Sequence, residues 1–211
     1  MGLAGVRGTV STIVLRDLVP RIDNDTRRRE LGEALWRVVL RDGIESASVR
    51  KVAAEAGVSA GSLRHVFPSQ SELMTFAMQL VIDEVTRRVE AVEPSGDART
   101  TVERLLQSLL VLDPETRAVF EVWLAFAARA RVDPSLRPLR DQTHAQVRGL
   151  CRTCIETLRA EGRTRPGLDV ADETERLHAL VDGLAMHATL EPELTPARQV
   201  ELLSLHLDAL T

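Results

Sequence analysis

The sequence predicts an all-α protein of about nine helices, and three observations carry that prediction. From Thr26 onward apolar residues recur at helical spacing, and no segment alternates as a half-buried strand does. Asp113-Pro114, Asp133-Pro134 and Thr195-Pro196 each place a capping side chain ahead of a proline. Proline suits the first helical turn because its missing N–H has no intrahelical partner to lose. Finally, Val49 to Phe67 contains two short helical patterns separated by only a few residues.

Residues 1–25 have no clear period and read as an N-terminal arm, either merely flexible or touching DNA through Arg16 or Arg21. The first helix spans Thr26 to Arg41, with Leu31, Ala34, Leu35, Val38 and Val39 as its apolar stripe. In the next helix Val49, Val52, Ala53 and Ala56 share a face. Gly57 ends it, since glycine adopts positive φ at little steric cost. Val58 is the apolar residue of the turn, and Ser59 caps the following helix by accepting from a free backbone N–H. Leu63, Val66 and Phe67 form the apolar side of that helix, leaving Ala60, Gly61, Ser62, Arg64 and His65 for other surfaces. Such a helix-turn-helix presents its second helix to a DNA major groove.

The stretch from Arg28 to Leu73 resembles the DNA-binding domain of the TetR family of transcriptional regulators. The residues that carry the resemblance are Arg28, Asp42-Gly43, Ser48-Val49-Arg50, Val52-Ala53, Ala56-Gly57-Val58-Ser59, Gly61, Leu63, Phe67-Pro68-Ser69 and Leu73. The chain departs from the family at Arg64 and Gln70, where Tyr and Lys are usual. The C-terminal half has the flavour of the BetI-like subgroup. The resemblance implies a helix-turn-helix domain over 26–72 and a ligand-binding and dimerisation domain over 73–211. It also implies contacts to DNA from Arg28, Ser48, Arg50, Ser59, Ala60, Gly61, Ser62, Arg64, His65, Ser69 and Gln70. Ser48, Ser69 and Gln70 stand at helix N-termini, where free N–H groups favour phosphate. Arg64 is the candidate for a guanine, meeting O6 and N7 together, or else for a phosphate.

Ser69 to Glu93 reads as a long fourth helix with Met74, Met78, Val81, Val85 and Val89 on its buried side, joining the head to the rest. Phe120, Trp123 and Phe126 concentrate on the sixth helix among alanines, an arrangement that either leaves a cavity or allows close packing. His144, Arg148 and Cys151 share one face of the seventh. These six are the candidate ligand-binding residues, provided that the face of the seventh helix points inward, where His and Arg need partners. Leu177, Leu180, Val181 and Leu184 stripe the eighth helix, and Val200, Leu203, Leu207 and Leu210 the ninth, with Leu202 and Leu205 widening the apolar surface. These stripes are either core or a dimer interface. Dimerisation is favoured because a helix-turn-helix protein reads two half-sites by two-fold symmetry.

Composition narrows the function. Net charge is −4, yet residues 1–71 carry 11 basic and 8 acidic side chains, so a positive end sits on an acidic body. Aromatics are 3% with no Tyr, too few for reading single strands by stacking. No stretch resembles a signal peptide or a membrane span, which points to a cytoplasmic location. No nucleophile elbow, phosphate loop or zinc-protease pattern is present, so an enzyme is not expected. Cys151 and Cys154 form a C-x-x-C, but tetrahedral zinc needs two further ligands, such as His144 or His178. Two small residues in a helix contact account for the pair better than a metal or a redox switch, and no cofactor or metal is expected. The expected partners are a double-stranded operator, a small-molecule effector and a second copy of the chain. The rival readings are a low-specificity DNA binder without ligand control, and a carrier or enzyme on an all-α body.

Overall fold

The computed structural model describes residues 25–191 and 193–210, with side chains from Arg29 onward. The arm with Arg16 and Arg21, and the side chain of Arg28, lie outside the described residues. Among the described residues there are nine α-helices and no strand: α1 Asp25–Asp42, α2 Val49–Glu55, α3 Ala60–Val66, α4 Gln70–Glu90, α5 Ala98–Gln107, α6 Pro114–Val132, α7 Arg137–Ala160, α8 Val170–Leu190 and α9 Pro196–Asp208. Short 3₁₀ turns at Ile44–Ser46 and Pro134–Leu136 complete the connections. No described helix is long and apolar enough to cross a membrane.

Helix starts follow local chemistry. Ser48, Ser59 and Ser69 accept from the backbone N–H groups of Lys51, Ser62 and Glu72. Asp97, Asp113, Asp169 and Thr195 cap α5, α6, α8 and α9 in the same way. Asp133 instead caps the 3₁₀ turn that runs into α7. Gly57 has φ 66°, so the turn between α2 and α3 uses the backbone freedom that only glycine has cheaply.

Two apolar clusters divide the interior. One joins α1, α2, α3, the first half of α4 and α6, so Leu35, Leu63 and Leu73 of the head share a core with Val119, Val122 and Phe126. The other joins the end of α4 to α5, α7, α8 and α9, centred on Leu106, Ile155, Leu177 and Leu203. Gln199, fully buried on α9, receives the Val111 N–H at 3.1 Å and donates to the Val111 carbonyl at 2.6 Å. Both polar ends are thereby satisfied, and the connection before α6 is fixed to α9.

The expected dimer stripes are mostly taken up by packing within the chain. Leu177, Val181, Leu184, Leu203, Leu207 and Leu210 are all buried within one chain, and only Leu180 and Val200 stay half-buried. The strongest apolar stripe of a helix faces its own core, where most apolar area is removed from water. The apolar residues left outside are Met186 at 42%, Leu190 at 67% and Leu205 at 55% exposure.

Candidate functional site

The head presents a surface assembled by three helix N-termini. Ser48, Arg50, Ser59, Gly61, Arg64, His65, Ser69 and Gln70 are exposed, and Ala60 and Ser62 are half-buried. Each of the three serines spends its hydroxyl oxygen on a cap, which leaves its O–H free to donate outward. A Cβ at Gly61 would meet nothing nearer than Ser59 Oγ at 3.8 Å. Packing within the chain therefore does not demand glycine there.

The cations of the head fall into two groups. Arg37 and Arg41 both hold Glu55, at 2.9 and 2.8 Å, and Lys51 stands 3.5 Å from Asp42. The hydrogen bonds of Arg41 keep Asp42 and Glu55 below the usual carboxylate range. These pairs brace α1 against α2. Arg50 and Arg64, in contrast, enter no ion pair among the described residues, so their charge is available for phosphate or a base edge. Gln70 departs from expectation. Its side-chain amide donates to the Ala47 carbonyl at 3.1 Å, turned back onto the head rather than outward. Only its backbone N–H, in the first turn of α4, is placed as expected.

A cavity of about 100 Å³ lies between α4, α6, α7, α8 and the residues Ser108, Leu109 and Leu110 that follow α5. Its walls are mainly apolar, with Phe120 and Trp123 on one side and Met78, Val81 and Ile82 on another. At one end stand His144 of α7 with His178 and Asp182 of α8. Of the six expected ligand residues, Phe120, Trp123 and His144 reach the cavity. Phe126 does not: it is fully buried in the head-side core. Each residue turns a helix by about 100°, so six residues beyond Phe120 the side chain emerges from another face.

Arg148 and Cys151 also stay outside the cavity. They share the expected face with His144, but that face lies against α8 at increasing depth. Arg148 is exposed and pairs with Glu175 of α8. The hydrogen bond raises the guanidinium pKa and lowers that of the carboxyl. Cys151 and Cys154 are free thiols in the core. Burial pushes Cys151 up to about 12 and Cys154 higher still, so neither is a ready nucleophile. His187 is exposed beside Glu191, at 3.1 Å.

Sequence reasoning missed Asp182 and Gln146 and gave His178 only in passing. The i, i+4 spacing of His178 and Asp182 was the available signal. Burial lowers the pKa of His178 and raises that of Asp182. Gln146 also lines the cavity, and both polar atoms of its amide are buried without a hydrogen-bond partner among the described residues.

Comparison with known proteins matches this geometry. Residues 33–75 match the family described as "Bacterial regulatory proteins, tetR family", and residues 98–211 the one described as "BetI-type transcriptional repressor, C-terminal". The chain is 42% identical over 175 residues to the HTH-type transcriptional regulator PksA of Bacillus subtilis (strain 168), covering 82% of this chain and 83% of the relative. A solved transcriptional regulator from Rhodococcus sp. Rha1 superposes with a TM-score of 0.75 at 32% identity, over 88% of this chain and 96% of that one. The multidrug binding protein EbrR, complexed with ethidium, superposes with a TM-score of 0.60 at 27% identity, over 86% and 98%.

Proposed function

Because the chain belongs to the TetR family of bacterial regulatory proteins and is a DNA-binding transcriptional regulator rather than an enzyme, we propose that it is a repressor. It binds a pseudo-palindromic operator as a homodimer and leaves it when a small molecule enters the cavity beside α4. The observation that carries this reading is a shared wall. Met78, Val81, Ile82 and Val119 line the cavity and also belong to the core that holds the head. A ligand that prefers one position of these side chains biases the position of α1, α2 and α3. The coupling needs a difference in ligand affinity between the two arrangements, not tight binding alone.

Each half of the reading has its own support. On the head, the exposure of Arg50 on α2 and of Gly61 and Arg64 on α3 supports an α3 that enters the major groove. Dimerisation is supported by a second, weaker stripe on α8. Ala179, Gly183, Met186 and Leu190 follow one another at i, i+4, i+7 and i+11, and a Cβ at Gly183 would meet nothing within 4 Å. With Leu205 of α9, they form an apolar face open to a second copy. The effector that fits is small and largely apolar, with one polar group directed at His144, His178 and Asp182. The ethidium complex of EbrR supports an aromatic ligand in a body of this fold.

The test is selection of genomic fragments by the purified chain at physiological salt, followed by anisotropy titration of enriched and random DNA. Two chains per site and a preference of at least ~10³-fold are expected, with the complex released by a cavity-binding small molecule. Selection that enriches no sequence, with equal weak binding to all DNA, would replace this reading with the low-specificity one.

A further inference from the structure

We propose that His144, His178 and Asp182 form a three-ligand site for a divalent first-row transition-metal ion of the zinc class, with its remaining coordination position open to the apolar cavity. One atom from each side chain is available, and these atoms lie within 4.8 Å of one another. His178 and Asp182 are one turn apart on α8, and His144 meets them from α7. The two imidazole rings have centroids 4.6 Å apart, tilted by 45°.

What separates this cluster from an ordinary polar network is that its members are gathered without satisfying one another. His178 Nε2 stands 3.5 Å from Asp182 Oδ2, too long for a good hydrogen bond. That separation is close to the ligand–ligand distance around tetrahedral zinc, about 3.3 Å for bonds of about 2.0–2.1 Å. The widest gap needs to close by about 1.5 Å on that geometry, and His144 is exposed and free to turn its ring. His178 is 4% exposed, and its ring is held against that of His144 rather than in open solvent.

The surroundings fit a cation. Arg148, the nearest guanidinium on the same face of α7, is already held by Glu175. The buried, unpartnered amide of Gln146 lies in the same cavity wall, suited to a water or ligand atom carried by the metal. Two nitrogens and a carboxylate oxygen suit zinc, cobalt or nickel. The two thiols of the chain take no part, because neither lines the cavity. Three protein ligands leave at least one position open, as in zinc sites that accept an exogenous ligand. The consequence for regulation rests on the reading of this cavity as the effector site: the ion clips α7 to α8 and grips an effector through a donor atom.

The metal is tested without DNA, so its failure and that of the operator reading are distinguishable. Full-length protein stripped by a chelator is titrated with Zn²⁺ in calorimetry against a competing chelator. It is then loaded with Co²⁺, whose visible absorption reports low coordination number. One ion per chain is expected. His144→Ala and Asp182→Asn should each weaken binding by at least about 100-fold, beyond the loss usual for outer-shell partners. The double variant Cys151→Ser/Cys154→Ser should bind as the parent does. His144 is exposed, so His144→Ala tests the site without disturbing the core, and metal-free melting curves verify this. No saturable binding, or binding that His144→Ala and Asp182→Asn leave unchanged, overturns the proposal.

Discussion

Replacing Arg64 by Ala tests whether charge left unpaired on the head meets DNA while paired charge holds the head together. Arg64 and Arg50 enter no ion pair among the described residues, whereas Arg37 and Arg41 share Glu55. The proposed dimer on its operator carries two Arg64 side chains. If each neutralises one phosphate, their loss lowers the slope of log K against log salt by about 1.8, at about 0.9 per contact. If each instead reads a guanine, the loss is about 1–3 kcal/mol per half-site, about 2–6 kcal/mol for the dimer, and is concentrated on sites carrying that base. Arg41→Ala removes the same formal charge, but from a side chain committed to Glu55 and Asp42. It should leave the slope nearly unchanged. The assay is fluorescence anisotropy at four or five salt concentrations, with the enriched operator, a variant in each half-site, and random DNA. The reasoning is refuted if Arg64→Ala leaves affinity and slope as they were, or if Arg41→Ala lowers the slope as much.

Two further outcomes follow from burial. Leu190, 67% exposed on α8, belongs to the face assigned to the partner copy, so Leu190→Asp should shift the mass measured by light scattering from dimer toward monomer. The melting curve of the isolated chain should change little, because this residue supports no core within the chain; a dimer that survives unchanged would place the interface elsewhere. The thiols give a pH dependence. Cys151 is raised from 9.0 to about 12 and Cys154 is also raised, so between those values the folded chain binds more protons than the unfolded one. Stability from this source is complete below pH 9 and is lost as pH rises toward 12, at about 1.4 kcal/mol per pH unit per thiol. Denaturant melts at pH 8 and pH 10 should show it, a Cys151→Ala/Cys154→Ala variant should lose that part of the slope, and iodoacetamide should label the native thiols far more slowly than the unfolded ones.

The sequence was most legible where the physics is local. The Ser59 cap, the positive-φ Gly57 and the apolar faces of α2 and α3 act within a few residues of one another, so their spacing places the helix-turn-helix. The body was legible as helices and less so as a site. Which face of α6 and α7 borders empty space depends on how α4, α5 and α8 pack against them, and His144 meets His178 across a helix pair that spacing within one helix does not reveal. Hence Phe120, Trp123 and His144 reach the cavity while Phe126, Arg148 and Cys151 do not. The dimer stripes are ambiguous for a related reason. A stripe such as Leu177, Val181 and Leu184 looks the same whether its partner is the same chain or another, and burial within the chain takes the stronger of two stripes first.

The division of the interior explains why the cavity is where it is. Val85 of α4 packs against both the head-side and the body-side clusters, and the cavity opens beside it, between two cores that do not fully merge. The start of α4 is fixed at its other side, where the Ser71 hydroxyl donates to Asp133 beyond the end of α6. A molecule lodged at the seam therefore acts on α4 between a fixed start and a body-side core centred on α5, α7, α8 and α9. What can yield is the row Met78, Val81 and Ile82, whose other neighbours are the residues that position α1 and the recognition helix. Close-packed interiors move in discrete repackings rather than by smooth deformation. In the reading proposed above, a ligand of modest size at this seam would bias the position of the head without touching the surface of α2 and α3 proposed to meet DNA.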